Sequence, residues 1–358
     1  MKQLISIFFL HILNYIYIII NLLWTKEYYC IISLLKYMCN TAVFFGDELS
    51  KYGFGINHPF NSNRIYSFWS KFKEMSLDKS DKVIIENPVL SYEEELQQFH
   101  TREYIDLVKQ YSQNKRGFLD KGDTPAYEGM FEAGCFVVGT SIKALDIVMT
   151  GQGDILHSFN PIGGLHHAKR NSAGGFCIFN DIGILITIAK KRYNLNRICY
   201  VDIDAHHGDG VYYEFEKDPT VFIADIHEDG RFLYPGTGNE SDIGLGDAKG
   251  TKLNIPLWPN SGDIEFIEAF KKIEEFIEVK VKPELIILQC GTDGIGGDPL
   301  THLQYTSNVH KYAAEKLHSI SHRYCDGKII ALGGGGYNTE NIGKGWTQVV
   351  RSLINDNF

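Results

Sequence analysis

No Cys-x-x-Cys pair occurs among the seven cysteines, which are odd in number and scattered at 30, 39, 135, 177, 199, 290 and 325. This excludes a recognisable disulfide framework and leaves a reducing, cytoplasmic setting as the expectation. Cys177, Cys199 and Cys290 lie in apolar runs, where a thiol packs as a small hydrophobe. Prolines number only 10, and no long Pro- or Ser-rich linker or internal repeat breaks the chain, so neither a disordered polymer nor a repeat array is expected. Positive charge is scarce as well. With 35 Lys and Arg against 44 Asp and Glu, the net charge is −9, whereas nucleic-acid binding needs a basic face.

One stretch has no charge at all. Residues 4–24 carry no Asp, Glu, Lys or Arg and include the run Ile18-Ile19-Ile20, long enough to cross a bilayer. Lys2 suits a signal or anchor, but no small-residue cleavage site follows, and His11, Asn14 and Asn21 weaken a membrane span. The segment can be a membrane anchor, an upstream extension with the true start near Met38, or a helix packed on the domain. Residues 1–40 are therefore set apart as a hydrophobic extension, and 41–358 as the catalytic domain.

From Thr41 onward, short runs rich in Ile, Val and Leu alternate with segments of helical period. Strands are expected at 41–45, 83–86, 154–157, 197–203, 220–225, 285–290 and 328–332. Helices are expected near 91–112, 126–149, 180–192, 208–217, 263–280, 306–322 and 339–354. Such alternation makes an α/β protein with one mostly parallel sheet flanked by helices. A chain of 358 residues can form this as one unit.

Polar residues gather just past the carboxyl ends of these strands, where open α/β sheets bind ligands. The densest group is Tyr200-Val-Asp-Ile-Asp-Ala-His-His-Gly-Asp-Gly210. On a continued strand Asp202, Asp204 and His206 would share one face, and burying them unpaired would cost roughly 1–3 kcal/mol each. A divalent metal resolves that cost. Asp204, His206 and Asp293 supply two carboxylates and an imidazole, which suits zinc and also Fe(II), Co(II) or Mn(II), with positions left open for water and substrate. His166 and His167, in Gly163-Gly-Leu-His-His-Ala168, form an acid/base pair, with Asp202 and Asp209 as orienting carboxylates. Leu332-Gly-Gly-Gly-Gly-Tyr337 lacks the Lys-Ser/Thr of a phosphate loop, so it presents Tyr337 as an oxyanion donor instead. Phe176 and Tyr234 make aromatic walls for an aliphatic stem.

These motifs, together with Gly55-Ile-Asn-His-Pro59, His100-Thr-Arg-Glu-Tyr104, Asp123-Thr-Pro125, Gly175-Phe-Cys177, Tyr234-Pro-Gly-Thr-Gly238, Gln289-Cys-Gly-Thr-Asp293 and Gly333-Gly-Gly-Gly-Tyr-Asn338, resemble the histone deacetylase superfamily. The likeness is to its class I-like branch, which includes the acetoin-utilisation proteins. The resemblance implies the arginase/deacetylase fold and zinc-dependent hydrolysis of N-ε-acetyl-lysine in a protein or peptide. It implies that Asp204, His206 and Asp293 bind the metal, that His166 and His167 are the acid/base pair, and that Tyr337 polarises the carbonyl. Gly175, Phe176 and Tyr234 would then line the substrate tunnel, with Asp123 at its rim. Potassium is implied near the Asp202–His206 strand, although Asp225 stands where relatives usually have Ser. A small acetylated amine such as an acetylpolyamine is the alternative substrate, and a non-catalytic acyl-lysine binder is a third outcome.

Overall fold

Strands of unbroken apolar sequence can satisfy the hydrophobic effect only if both sheet faces are covered. In the computed structural model, which describes residues 39–355, that is what happens. The expectations for residues 4–24 lie outside the described residues. Among the described residues, eight strands run β1 (Asn40–Phe44), β2 (Val83–Glu86), β3 (Ile155–Asn160), β4 (Ile198–Asp202), β5 (Val221–Glu228), β6 (Lys252–Leu257), β7 (Leu285–Gln289) and β8 (Ile329–Leu332). They form one sheet in the order β2-β1-β3-β8-β7-β4-β5-β6, every pair parallel. All five residues of β4 and of β7 are buried.

The main helices are α1 (Asn63–Glu74), α2 (Arg102–Asn114), α3 (Met130–Thr150), α4 (Asp181–Tyr193), α5 (Asp209–Phe215), α6 (Asp263–Phe276), α7 (Asn308–Tyr324) and α8 (Thr339–Leu353). Two apolar cores result, one holding Val138, Leu145, Leu185 and Ile287, the other Phe270, Leu317, Leu288 and Trp346. Helix α3 is long and apolar enough to cross a membrane by composition, but most of it is buried inside the protein, as a core helix is.

Several local expectations are corrected. The helix expected near 91–112 is broken at His100, because the Thr101 hydroxyl accepts from Tyr104 N (3.3 Å) and starts α2 afresh. The capping box expected at Ser91 and Glu94 sits one residue later, with Glu95 accepting from Tyr92 N at 2.8 Å. Helix α1 and strand β6 were not anticipated. Asn338 does cap α8, accepting from Glu340 N and Asn341 N.

The chain leaves β3 and enters β4 on the far side of the gap that β8 and β7 later fill. The carboxyl ends of these four central strands therefore open on one crevice, and the register lines polar residues along it. Asp202 pairs with Gln289 on one side and Asp225 on the other, while Gln289 sits beside Leu332, the last residue before the glycine loop.

Candidate metal and catalytic site

Strand β4 ends at Asp202, so alternation along a strand does not place Asp204 and His206. Two relayed bends do: Asp202 Oδ1 accepts from Asp204 N, and Asp204 Oδ1 accepts from His206 N, both at 3.0 Å. Asp293 arrives from the loop after β7, its Oδ1 accepting from Ala205 N at 2.8 Å. The result is convergence. Donor atoms of Asp204, His206 and Asp293 all lie within 4.8 Å of one another, with His206 Nδ1 3.1 Å from Asp204 Oδ1 and 2.9 Å from Asp293 Oδ2.

The surroundings fit a divalent cation. Burial and the nearby Asp204 charge push the Asp293 carboxyl up to about 7. Burial alone would depress His206, but hydrogen bonds to Asp204 and Asp293 lift it to about 10. The site thus draws a positive charge onto its own imidazole. Two glycines clear the recess: a Cβ at Gly291 would stand 2.0 Å from Asp204 Oδ2, and one at Gly335 2.3 Å from Asp293 Oδ2. Gln289 Nε2 and Gly335 N both donate to Asp204 Oδ2 at 2.7 Å, which fixes that carboxylate in place.

Beside the carboxylates stand the paired imidazoles. His166 Nδ1 donates to Asp202 Oδ2 and His167 Nδ1 to Asp209 Oδ1, each at 2.8 Å, leaving the two Nε2 atoms 3.1 Å apart. Burial opposes protonation of His166, yet the Asp202 and Asp204 charges hold it at about 9. Burial and the His166 charge together hold His167 at about 4, despite Asp209. Two imidazoles in contact cannot both carry charge cheaply, so the pair carries a single positive charge, its extra proton on the His166 side. Asp209 Oδ2 is also 3.2 Å from Lys169 Nζ.

The turn carrying this pair is held by Asp181, whose carboxylate accepts from Gly164 N, Leu165 N and Ser141 Oγ. Gly164 has φ +93°, and a Cβ there would meet Gly334 N at 2.8 Å. The histidine turn and the glycine loop therefore lie backbone against backbone.

A cavity of about 210 Å³ leads to the site, lined by His167, Gly175, Phe176, His206, Leu233, Tyr234, Leu300 and Tyr337, with Asp123 at its edge. A second hollow of about 410 Å³ shares Asp123, His167 and Tyr234 with it. Gly175 is required: a Cβ there would sit 2.3 Å from His167 Cδ2. Phe176 faces Tyr337 edge-on, ring centroids 5.7 Å apart, and Tyr234 lies 5.0 Å from the His167 ring. Burial and the Asp293 and Asp204 charges push the Tyr337 hydroxyl well above its usual range, so it stays a donor. Asp123 is exposed, in a turn whose amides donate to the Asp120 carboxylate.

One contributor, Arg64, had no sequence signal. Arg64, from α1, is fully buried and donates to the carbonyls of Gly334 and Gly336 (Nε to Gly336 O, 2.9 Å), with its guanidinium 3.8 Å over the Phe60 ring. It holds the loop that carries Tyr337. Asp298 accepts from Tyr337 N at 2.8 Å, and the Tyr200 hydroxyl donates to Asp202. Asp225 is engaged by Gly208 N (2.9 Å) and by His227 Nδ1 (2.7 Å), while His227 Nε2 donates to Gly238 O.

A family model described as the histone deacetylase domain matches residues 58–353. The chain is 38% identical over 320 residues to the acetoin utilization protein AcuC of Bacillus subtilis (strain 168), covering 87% of this chain and 81% of that one. It is 33% identical over 324 residues to AcuC of Staphylococcus xylosus, covering 88% and 83%. Among solved structures it is similar to the HDA15 HD domain (TM-score 0.81, 26% identity, 89% of this chain and 91% of that one). It is also similar to an HDAC homolog from Aquifex aeolicus (TM-score 0.78, 28% identity, 88% and 84%).

Proposed function

The chain belongs to the histone deacetylase family, in its AcuC-like branch, and is a deacetylase-type amidohydrolase; on that premise we propose that it hydrolyses the acetyl amide of N-ε-acetyl-lysine in proteins or peptides, using zinc held by Asp204, His206 and Asp293. Fe(II) and Co(II) are the alternatives that two carboxylate oxygens accommodate. When bound, the ion polarises the acetyl oxygen as a Lewis acid and acidifies water.

The protein's own groups do the rest. Neutral His167 takes a proton from the attacking water, and an imidazolium of the pair returns one to the lysine nitrogen as the C–N bond breaks and acetate forms. The Tyr337 hydroxyl donates to the developing oxyanion. Asp202 and Asp209 orient the imidazoles, and Arg64 and Asp298 position Tyr337. All six cysteines among the described residues are buried thiols, which supports a reducing, cytoplasmic setting. Asp225 is engaged by Gly208 and His227, and we assign it no potassium.

The observation that carries the lysine substrate is the shape of the entrance. A slot of about 210 Å³ with aromatic and aliphatic walls accommodates an acetylated four-carbon stem, and the second hollow of about 410 Å³ leaves room for flanking peptide. Asp123 at the rim can accept from backbone amides. An acetyl-lysine peptide should therefore turn over faster than an acetylated polyamine, and a chelator should abolish both. Faster release from the polyamine would overturn the peptide assignment.

A pH profile tests the proton inventory. The kcat/KM should rise with pH as His167 loses its proton and fall on the alkaline side as His166 loses the remaining one. Asp202→Asn removes the charge that raises His166, so its alkaline limb should move toward neutrality by about one unit or more. An alkaline limb that stays in place would remove His166 from this role.

A further inference from the structure

At the opposite ends of the strands from the catalytic crevice, four side chains distant in sequence meet in one spot. Cys39 immediately precedes β1, His157 lies in the first half of β3, and His318 and His322 are one turn apart on the last part of α7. Their donor atoms all lie within 4.8 Å of one another. Cys39 Sγ is 3.6 Å from His157 Nε2, 3.7 Å from His157 Nδ1 and 3.7 Å from His322 Nε2. His322 Nε2 is 3.2 Å from His157 Nε2 and 3.0 Å from His318 Nε2.

We propose that Cys39, His157, His318 and His322 form a second metal site, a tetrahedral one-sulfur, three-nitrogen set for a zinc-type divalent ion, separate from the catalytic cleft.

The distances carry this. Zinc bonds of about 2.3 Å to sulfur and 2.0–2.1 Å to nitrogen, arranged tetrahedrally, put sulfur and nitrogen roughly 3.6 Å apart and two nitrogens roughly 3.4 Å apart. The sulfur separations from the Nε2 atoms of His157 and His322 match, and the two nitrogen–nitrogen separations from His322 Nε2 need open by only a few tenths of an ångström. Hydrogen bonding alone accounts less well for the cluster. A ring nitrogen carries one proton or one lone pair, yet His322 Nε2 faces two other imidazole nitrogens and a thiol at once.

The supporting groups agree. Thr41 Oγ1 lies 3.4 Å from His157 Nδ1 and donates onward to Leu353 O, so it accepts the Nδ1 proton and leaves the Nε2 lone pair free for an ion. A Cβ at Gly327 would stand 2.8 Å from His322 Cε1, so the glycine makes room for that ring. Cys39, His157 and His318 are buried while His322 is partly exposed, which gives an ion a route in. Once bound, it would tie the start of β1, β3 and the end of α7 together.

The full-length, zinc-loaded protein should contain two ions per chain by elemental analysis. Cys39→Ser and the His318→Ala/His322→Ala double variant should each retain one, with deacetylation per cleft ion unchanged. Cobalt loading needs no variant. The native chain should show a thiolate-to-cobalt charge-transfer band, because the catalytic donor set contains no sulfur. That band should persist in Asp293→Asn and vanish in Cys39→Ser. One ion per chain in the native protein, or a cobalt protein without the band, would overturn the second site.

Discussion

Asp293→Asn should strip the catalytic cleft of its ion and lower kcat/KM for an acetyl-lysine peptide by about 10³-fold or more, equivalent to ~4 kcal/mol of transition-state stabilisation. The choice of residue follows from hydrogen bonding. Asp204 is surrounded by donors, namely His206 N, Gln289 Nε2 and Gly335 N, so an amide NH2 there would face N–H groups and threaten the fold. Asp293 Oδ1 accepts from Ala205 N, which an asparagine oxygen can still do, and its Oδ2 faces His206 Nδ1, which in neutral form can accept from the new amide. Metal content and activity should fall while the melting temperature of the metal-free chain stays near that of the metal-free parent. Activity close to that of the parent would remove Asp293 from the ligand set.

Tyr337→Phe should lower kcat by about 10²–10³-fold, the usual loss of one preorganised oxyanion donor, while KM and metal content change little. Only a hydroxyl is removed. The ring would keep its edge-on contact with Phe176, and the backbone would remain held by Asp298 and Arg64. Because burial and two nearby carboxylates keep the phenol protonated, its contribution should persist across the neutral range. A variant with near-normal turnover would leave the ion as sole stabiliser of the oxyanion. Loss of metal in this variant would instead make the tyrosine a structural support.

Much of the scaffold could be read from the chain because buried parallel strands are apolar throughout. Ile-Cys-Tyr-Val-Asp of β4 and Leu-Ile-Ile-Leu-Gln of β7 have few other places to go. Strand β6, Lys-Leu-Asn-Ile-Pro-Leu, escaped notice because it is an edge strand, where lysine, asparagine and proline are tolerated. Helix α1 carries Ile65, Phe68 and Phe72 at helical spacing, but its Tyr, Phe, Trp and Ser residues are weak helix formers, so packing decides the matter.

The candidate set was legible where its members share a motif or directly follow an apolar strand, as with Asp204, His206, His166, His167 and Asp293, which the structure brings together. Arg64 was not. A lone arginine in an aromatic helix gives no hint that it will be buried against Phe60 and donate to a loop 270 residues away. The Cys39, His157, His318 and His322 cluster is harder still, since only His318 and His322 stand at a suggestive spacing and the others join through sheet register.

Acetate release by chelator-stripped protein, titrated with zinc, tests the central claim most directly. Protein shown by elemental analysis to be metal-free should release no acetate from an acetyl-lysine peptide and regain its rate as zinc is added, while Asp293→Asn stays inactive throughout. Metal-free protein that cleaves the peptide as fast as the zinc-loaded form would contradict it.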